Sequence, residues 1–150
     1  MEIRRATEDD FAAMTDVWHS AVKATHGFLG ESEIEGYRGR LATEFFPATE
    51  EIWVATDDDG AITGFIGMDD DEVGMLFVDA GHHGQGIGTA LIDLVAEGRP
   101  TLEVEVNEQA SQALGFYEGV GFERVSRSPV DSDGNPFPLL RMRRPGVDSV

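Results

Sequence analysis

The sequence predicts an α+β fold of three layers, with helices on both faces of a mixed, mostly antiparallel central sheet. Three observations predict it. Segments of period two and of helical period follow one another in the order β-α-α-β-β-β-α-β-α-β-β. Three successive strands are joined by short acidic turns, Asp57-Asp58-Asp59-Gly60 and Asp69-Asp70-Asp71, which suits an antiparallel meander. The 150 residues are 41% apolar and 27% charged, which supports one core but not two.

Ile3 to Arg5 reads as a short first strand. Thr7 is then an N-cap with Asp10 three residues on and Glu8 and Asp9 in the first turn. Phe11, Met14, Val17, Trp18, Ala21 and Val22 follow at helical spacing, which carries a helix to about Lys23. Thr25 to Gly30 reads as a loop. Ser32, with Glu35 behind it, is the expected cap of a second helix that runs to Phe46 and closes at Pro47. Ile52–Thr56, Ala61–Met68 and Glu72–Val78 are the meander strands. A helix from Gly86 to Ala96 buries Ile87, Leu91, Ile92 and Val95. Thr101–Val106 alternates, with Leu102, Val104 and Val106 on one face and Glu103 and Glu105 on the other. A helix over Ala110–Val120 ends at Gly121 as its C′ residue. Phe122–Arg127 and Leu139–Arg143 are the last strands, separated by the Asp131–Pro136 loop. Residues 1–143 read as a single domain and 144–150 as a flexible C-terminal tail.

Composition narrows the function classes. Twenty-nine acidic residues face eleven basic ones, a formal charge of -18, and Lys23 is the sole lysine. Such a field repels nucleic acid and anionic membranes, so neither is an expected partner. No apolar run approaches the roughly 18 residues that a bilayer span needs. The N-terminus lacks a signal-peptide core, so a cytoplasmic protein is the expectation. With no cysteine, thiol nucleophiles and cysteine metal sites are absent. His82 and His83 have no companions placed to complete a zinc site, so no metal is expected. The carboxylate-rich, lysine-poor balance resembles that of proteins from salt-loving organisms, where salt screens self-repulsion.

The strongest chemical signal is the run Val78-Asp79-Ala80-Gly81-His82-His83-Gly84-Gln85-Gly86-Ile87-Gly88-Thr89. A strand enters a glycine-rich turn, and the turn opens a helix. Unpaired amides and the helix's positive end can there cradle a phosphate. The run lacks the Gly-Lys-Ser/Thr of a P-loop and the spacing of a dinucleotide motif. A sharp turn without a ligand is the plainer alternative, and for Tyr117 it is simple core packing.

With this turn the sequence resembles the GNAT superfamily of N-acetyltransferases, from Ile3 to about Arg143. Its signature, Arg/Gln-x-x-Gly-x-Gly/Ala, reads here His83-Gly84-Gln85-Gly86-Ile87-Gly88, with His83 departing from Arg or Gln. The second signature reads Val106-Asn107-Glu108-Gln109, then Phe116-Tyr117-Glu118-Gly119-Val120-Gly121-Phe122. Ala110 stands where many relatives carry Asn. The segment Ala24–Leu29 and the closing Pro136–Leu140 are similar to a small bacterial branch with unsettled acceptor substrates.

The resemblance implies a GNAT-like acyl-CoA N-acyltransferase fold, acetyl-CoA as cosubstrate and direct transfer to a primary amine, either a small molecule or a peptide. It also admits a homodimer. It places the pyrophosphate on the amides of Gly84, Gln85, Gly86, Ile87, Gly88 and Thr89, with His82, His83 and Arg99 as the nearest candidates for further phosphate contacts. The pantetheine arm is expected between two splayed parallel strands, near Met75, Phe77 and Val78. Asn107 or Ser111 would supply the polar group that Ala110 does not offer the arm. Tyr117 is the implied general acid, and His26, Glu103 and Glu105 are candidates to take the amine's proton. Trp18, Phe28, Tyr37, Phe45 and Phe137 are candidates to line the acceptor side. Transfer of another acyl group and a non-catalytic CoA-binding sensor or interaction module are the competing readings.

Overall fold

The structure, a computed structural model, describes residues 1–25 and 30–146. Its strands are β1 Glu2–Arg5, β2 Glu51–Thr56, β3 Ile62–Asp69, β4 Glu72–Val78, β5 Thr101–Asn107, β6 Glu123–Ser128 and β7 Leu139–Pro145. They form one sheet in the order β1-β2-β3-β4-β5-β7-β6. Every neighbouring pair is antiparallel except β4 and β5. Among the described residues five α-helices accompany the sheet: α1 Phe11–Thr25, α2 Glu31–Arg40, α3 Phe46–Ala48, α4 Ile87–Ala96 and α5 Ser111–Gly119. The three-layer α+β arrangement is the predicted one.

Where length and composition predict one core, side-chain alternation gives two, one on each face of the sheet. Val54 and Phe65 point toward α1, where Met14, Val17, Trp18 and Val22 form a buried stripe with Ile34, Leu41 and Phe46. Their strand neighbours Ala55 and Ile66 point the other way, against Ile87, Leu91, Ile92 and Val95 of α4 and Leu114 and Tyr117 of α5. Residues 63–68 of β3 are buried throughout, because helices cover both faces of the sheet there. Each fully buried side chain of this size contributes about 1.5–3 kcal/mol. No helix among the described residues is long and apolar enough to cross a membrane.

The parallel pair is what positions the site. Pairing between β4 and β5 is confined to Glu72↔Glu103 and Val73↔Val104, although the strands run on to Val78 and Asn107. They therefore splay. On its other side β4 slips register against β3 between Gly67↔Met75 and Met68↔Val73, with Gly74 as the extra residue. Beyond that bulge Met75 and Phe77 pack on the α1 side, and Leu76 and Val78 on the α4 side.

Several element boundaries differ from the sequence reading. α1 starts as predicted, through Thr7 N–H donating to Asp10 Oδ2 at 2.8 Å, but a 3-10 turn at Glu8–Asp10 precedes Phe11. The second helix is capped by Gly30, so Ser32 lies inside it. It does not stop at Pro47 either. A π turn over Leu41–Phe45 widens the ladder, Phe46 N–H donates to Leu41 O five residues back, and Pro47 then sits in the first turn of α3, where its missing N–H costs nothing. At the other end β7 continues through Arg144↔Leu102 and Pro145↔Thr101.

Candidate active site

The glycine turn folds as its composition dictates. Gly84 and Gly86 both take φ +80, a left-handed conformation that side chains resist, and Gly86 caps α4. A 3-10 turn at Ala80–His82 leads in, closed by Asp79 Oδ2 accepting from Gly81 N–H at 3.1 Å. Ser20 Oγ on α1 accepts from Ala80 N–H at 2.9 Å and pins this loop to the first helix. The helical ladder of α4 includes Ala90 N–H to Gly86 O at 3.0 Å, so Ile87, Gly88 and Thr89 open the helix with amides that have no helical carbonyl to bind. Gly88 lets α5 come close, because a Cβ there would lie 3.1 Å from the Phe116 ring.

These residues form one wall of a cleft of about 440 Å³. The splayed end of β4 supplies Leu76, Phe77 and Val78, α1 supplies Ala21, and α5 with its cap supplies Ala110, Gln112, Ala113, Phe116 and Tyr117. The Tyr117 ring is clamped between Phe116 and Phe122, each 5.2 Å away between centroids. Its hydroxyl makes no hydrogen bond among the described residues. Burial pushes that phenol above its ordinary value of 10, so it stays protonated and able to donate.

Two imidazoles complete the wall. Nδ1 of His82 lies 2.9 Å from Asp79 Oδ2, and Nε2 of His83 lies 2.9 Å from the Val78 carbonyl oxygen. The His82 ring is the first cause holding the Asp79 carboxyl below its usual range.

A second cavity of about 480 Å³ opens on the opposite face of the sheet. Trp18 and Val22 of α1, Tyr37 of α2, Leu41 and Phe45 of the π turn and Met75 and Phe77 of β4 line it, with Asp69 at its rim. Phe77 of β4 lines both cavities.

The other sequence candidates are distributed as follows. Met75 lines the second cavity and not the cleft. Gln85 is exposed and outside the lining of both. Asn107 turns its Oδ1 back to accept from Gln109 N–H at 2.8 Å, and Ser111 is exposed at the start of α5, so at that point the cleft wall is Ala110 and Gln112. Glu103 and Glu105 occupy the face of β5 away from the α4 core. There Arg143 Nη2 reaches Glu103 at 2.8 Å, and Arg141 Nη2 reaches both Glu105 at 2.8 Å and Glu72 at 3.0 Å. Arg99 is a correction. It lies beyond the far end of α4, where it donates to Val95 O at 2.6 Å and meets Glu51 at 3.3 Å, so it cannot serve a ligand at the glycine turn. His26 and Phe28 lie outside the described residues. Gln112, Ala113 and Phe116 escaped the sequence reading, although their helical spacing with Tyr117 marks one face. Among the described residues no group of three or more His, Asp or Glu side chains could hold a metal ion.

A family model described as acetyltransferase (GNAT) domain matches residues 29–144. The chain is 36% identical over 148 residues to the peptidyl-lysine N-acetyltransferase YjaB of Salmonella typhimurium, spanning 97% of this chain and 99% of that one. The solution structure of apo-form YjaB from Escherichia coli superposes with a TM-score of 0.86 at 32% identity, covering 97% and 98% of the two chains. The PaiA N-acetyltransferase of Thermoplasma acidophilum, solved in complex with coenzyme A, has the same fold, with a TM-score of 0.72 at 19% identity over 96% and 98%.

Proposed function

The chain belongs to the GNAT family and is an acetyl-CoA-dependent N-acetyltransferase acting on an amine, and from that premise we propose that its acceptor is the side-chain amine of a lysine in a protein or peptide. The observation that carries the reading is that one β4 residue, Phe77, lines both cavities. One cavity has the glycine turn for an anionic donor. The other is a long, aromatic-walled groove suited to the alkyl stem of lysine. The acidic field of a chain with net charge -18 draws in cationic peptides. The Salmonella relative's name, peptidyl-lysine N-acetyltransferase, points the same way.

The cleft fits the donor. Left-handed Gly84 and Gly86 leave open space where side chains would project, and among the described residues no carboxylate lines the wall. When bound, acetyl-CoA supplies the acetyl group as an activated thioester. In this reading the amides of Gly84 to Thr89 hold the pyrophosphate, with His83 beside them. The β4 edge from Met75 to Val78 flanks the extended arm in the gap that β5 leaves. Tyr117, protonated and on the same wall, donates to the departing sulfur. Glu105 lies on the splayed half of β5, on the face away from the α4 core and outside the lining of both cavities, and would take the amine's proton through water, with Arg141 holding its carboxylate. His26 is the second candidate for that proton. Glu103 is held by Arg143 and Arg141 and has the lesser claim.

Mass spectrometry of a peptide with a blocked N-terminus and a single lysine tests the acceptor. Incubation with acetyl-CoA should add one acetyl group, and fragmentation should place it on the lysine. Acetylation confined to free α-amines or to small amines would overturn the lysine assignment and leave the transferase in place.

A further inference from the structure

The described residues lining the donor cleft include no Lys, Arg, Asp or Glu, and their ionisable side chains are His82, His83 and Tyr117. Tyr117 stays neutral. Two imidazoles are therefore the full positive charges that the cleft can offer an anion, in a chain that carries -18 overall.

Each ring is anchored through one nitrogen. The Val78 carbonyl only accepts, so Nε2 of His83 must carry a hydrogen. Asp79 is held ionised, so Nδ1 of His82 carries one as well. The remaining nitrogens, Nε2 of His82 and Nδ1 of His83, have no hydrogen-bond partner among the described residues. In a neutral ring such a nitrogen is a lone pair that repels phosphate. In imidazolium it is a donor that binds it. The surroundings add little competing charge. Among the described residues Asp79 is the one carboxylate in contact with either ring. On the other walls, α1 presents Ala21, α4 presents Ile87 to Thr89, and α5 presents Gln112, Ala113, Phe116 and Tyr117.

We propose that donor binding by this chain is proton-coupled: His82 and His83 hold the ligand's phosphates as imidazolium, so binding takes up protons and affinity falls as the pH rises from about 6 to about 8. The inference rests on the acetyl-CoA reading of the cleft and adds a pH dependence that backbone amides alone would not give. A neutral ring pays for its protonation out of the binding free energy, and more so at higher pH.

Calorimetric titration of CoA, repeated in buffers of different ionisation enthalpy near neutral pH, counts the protons taken up. Dephospho-CoA is titrated in parallel, because it lacks the 3′-phosphate, whose own protonation falls in this range. Net uptake is expected with both ligands, with Kd rising about five-fold or more from pH 6 to pH 8. The double variant His82→Asn, His83→Gln keeps hydrogen-bonding groups that do not titrate. It should bind without uptake and with a flat Kd. Wild-type binding without proton uptake, or equal uptake by the double variant, overturns the proposal alone. Absence of binding across the whole pH range overturns it together with the donor assignment.

Discussion

At the scale of single residues, the account depends on a few backbone and side-chain states. Gly86 is left-handed and caps α4 at the proposed phosphate site. Gly86→Glu would strain that turn and place a carboxylate at the phosphate position, so CoA binding should fall by about a hundred-fold or more in a titration, while the protein still folds. Tyr117→Phe removes only the hydroxyl. Its ring contacts to Phe116 and Phe122 remain, so kcat should drop about ten-fold or more with donor Kd nearly unchanged. Equal activity in the variant would remove Tyr117 as the acid. The placement of these residues was legible in the sequence, because Gly84, Gly86, Gly88 and Tyr117 are adjacent to their own structural cues. Asn107 was misleading because a short polar side chain at a strand end serves its own backbone first. The pairing of Glu103 and Glu105 with Arg141 and Arg143 was invisible, since it depends on which strand lies beside β5.

At the scale of elements, β4 spans the predicted Glu72–Val78, and its parallel neighbour and splay are those the family resemblance implied. Helix ends were less legible. Pro47 reads as a stop in one dimension, but the π turn before it lets the chain stay helical and swings Leu41 and Phe45 over the second cavity. The junction of β1 with α1 is tied by Asp10, whose carboxylate accepts from Arg4 Nη1 and Nη2, each at 2.8 Å, and from Thr7 N–H. Those bonds, the Arg4 guanidinium first, lower its pKa from 3.8 to about 2. A carboxyl lowered on folding stabilises fully above its unfolded value and loses that contribution as the pH falls through about 2. Asp10→Asn should therefore cost about 1–3 kcal/mol in urea unfolding at pH 7, with the gap to wild type shrinking as the pH is lowered toward 2. A gap independent of pH would deny the ion pair its role.

At the scale of the whole molecule, charge and topology act together. With 29 acidic residues against 11 basic ones, self-repulsion exceeds what exposed ion pairs return, each worth about 1 kcal/mol at most. Thermal unfolding should shift upward by about 5 °C or more between roughly 0.1 M and 2 M KCl as screening removes that repulsion. A flat or falling midpoint would mean that the ion pairs dominate. The topology places the cleft beside the glycine turn on one face of the sheet and an aromatic groove on the other, with Phe77 of β4 lining both. The most direct test of that arrangement is the release of free CoA from acetyl-CoA in the presence of a lysine-containing peptide, followed with a thiol reagent. The chain has no cysteine, so every thiol detected is product. Saturable release that requires the peptide's lysine is the predicted result. Tight binding of acetyl-CoA with no release for any lysine-containing peptide would contradict the account.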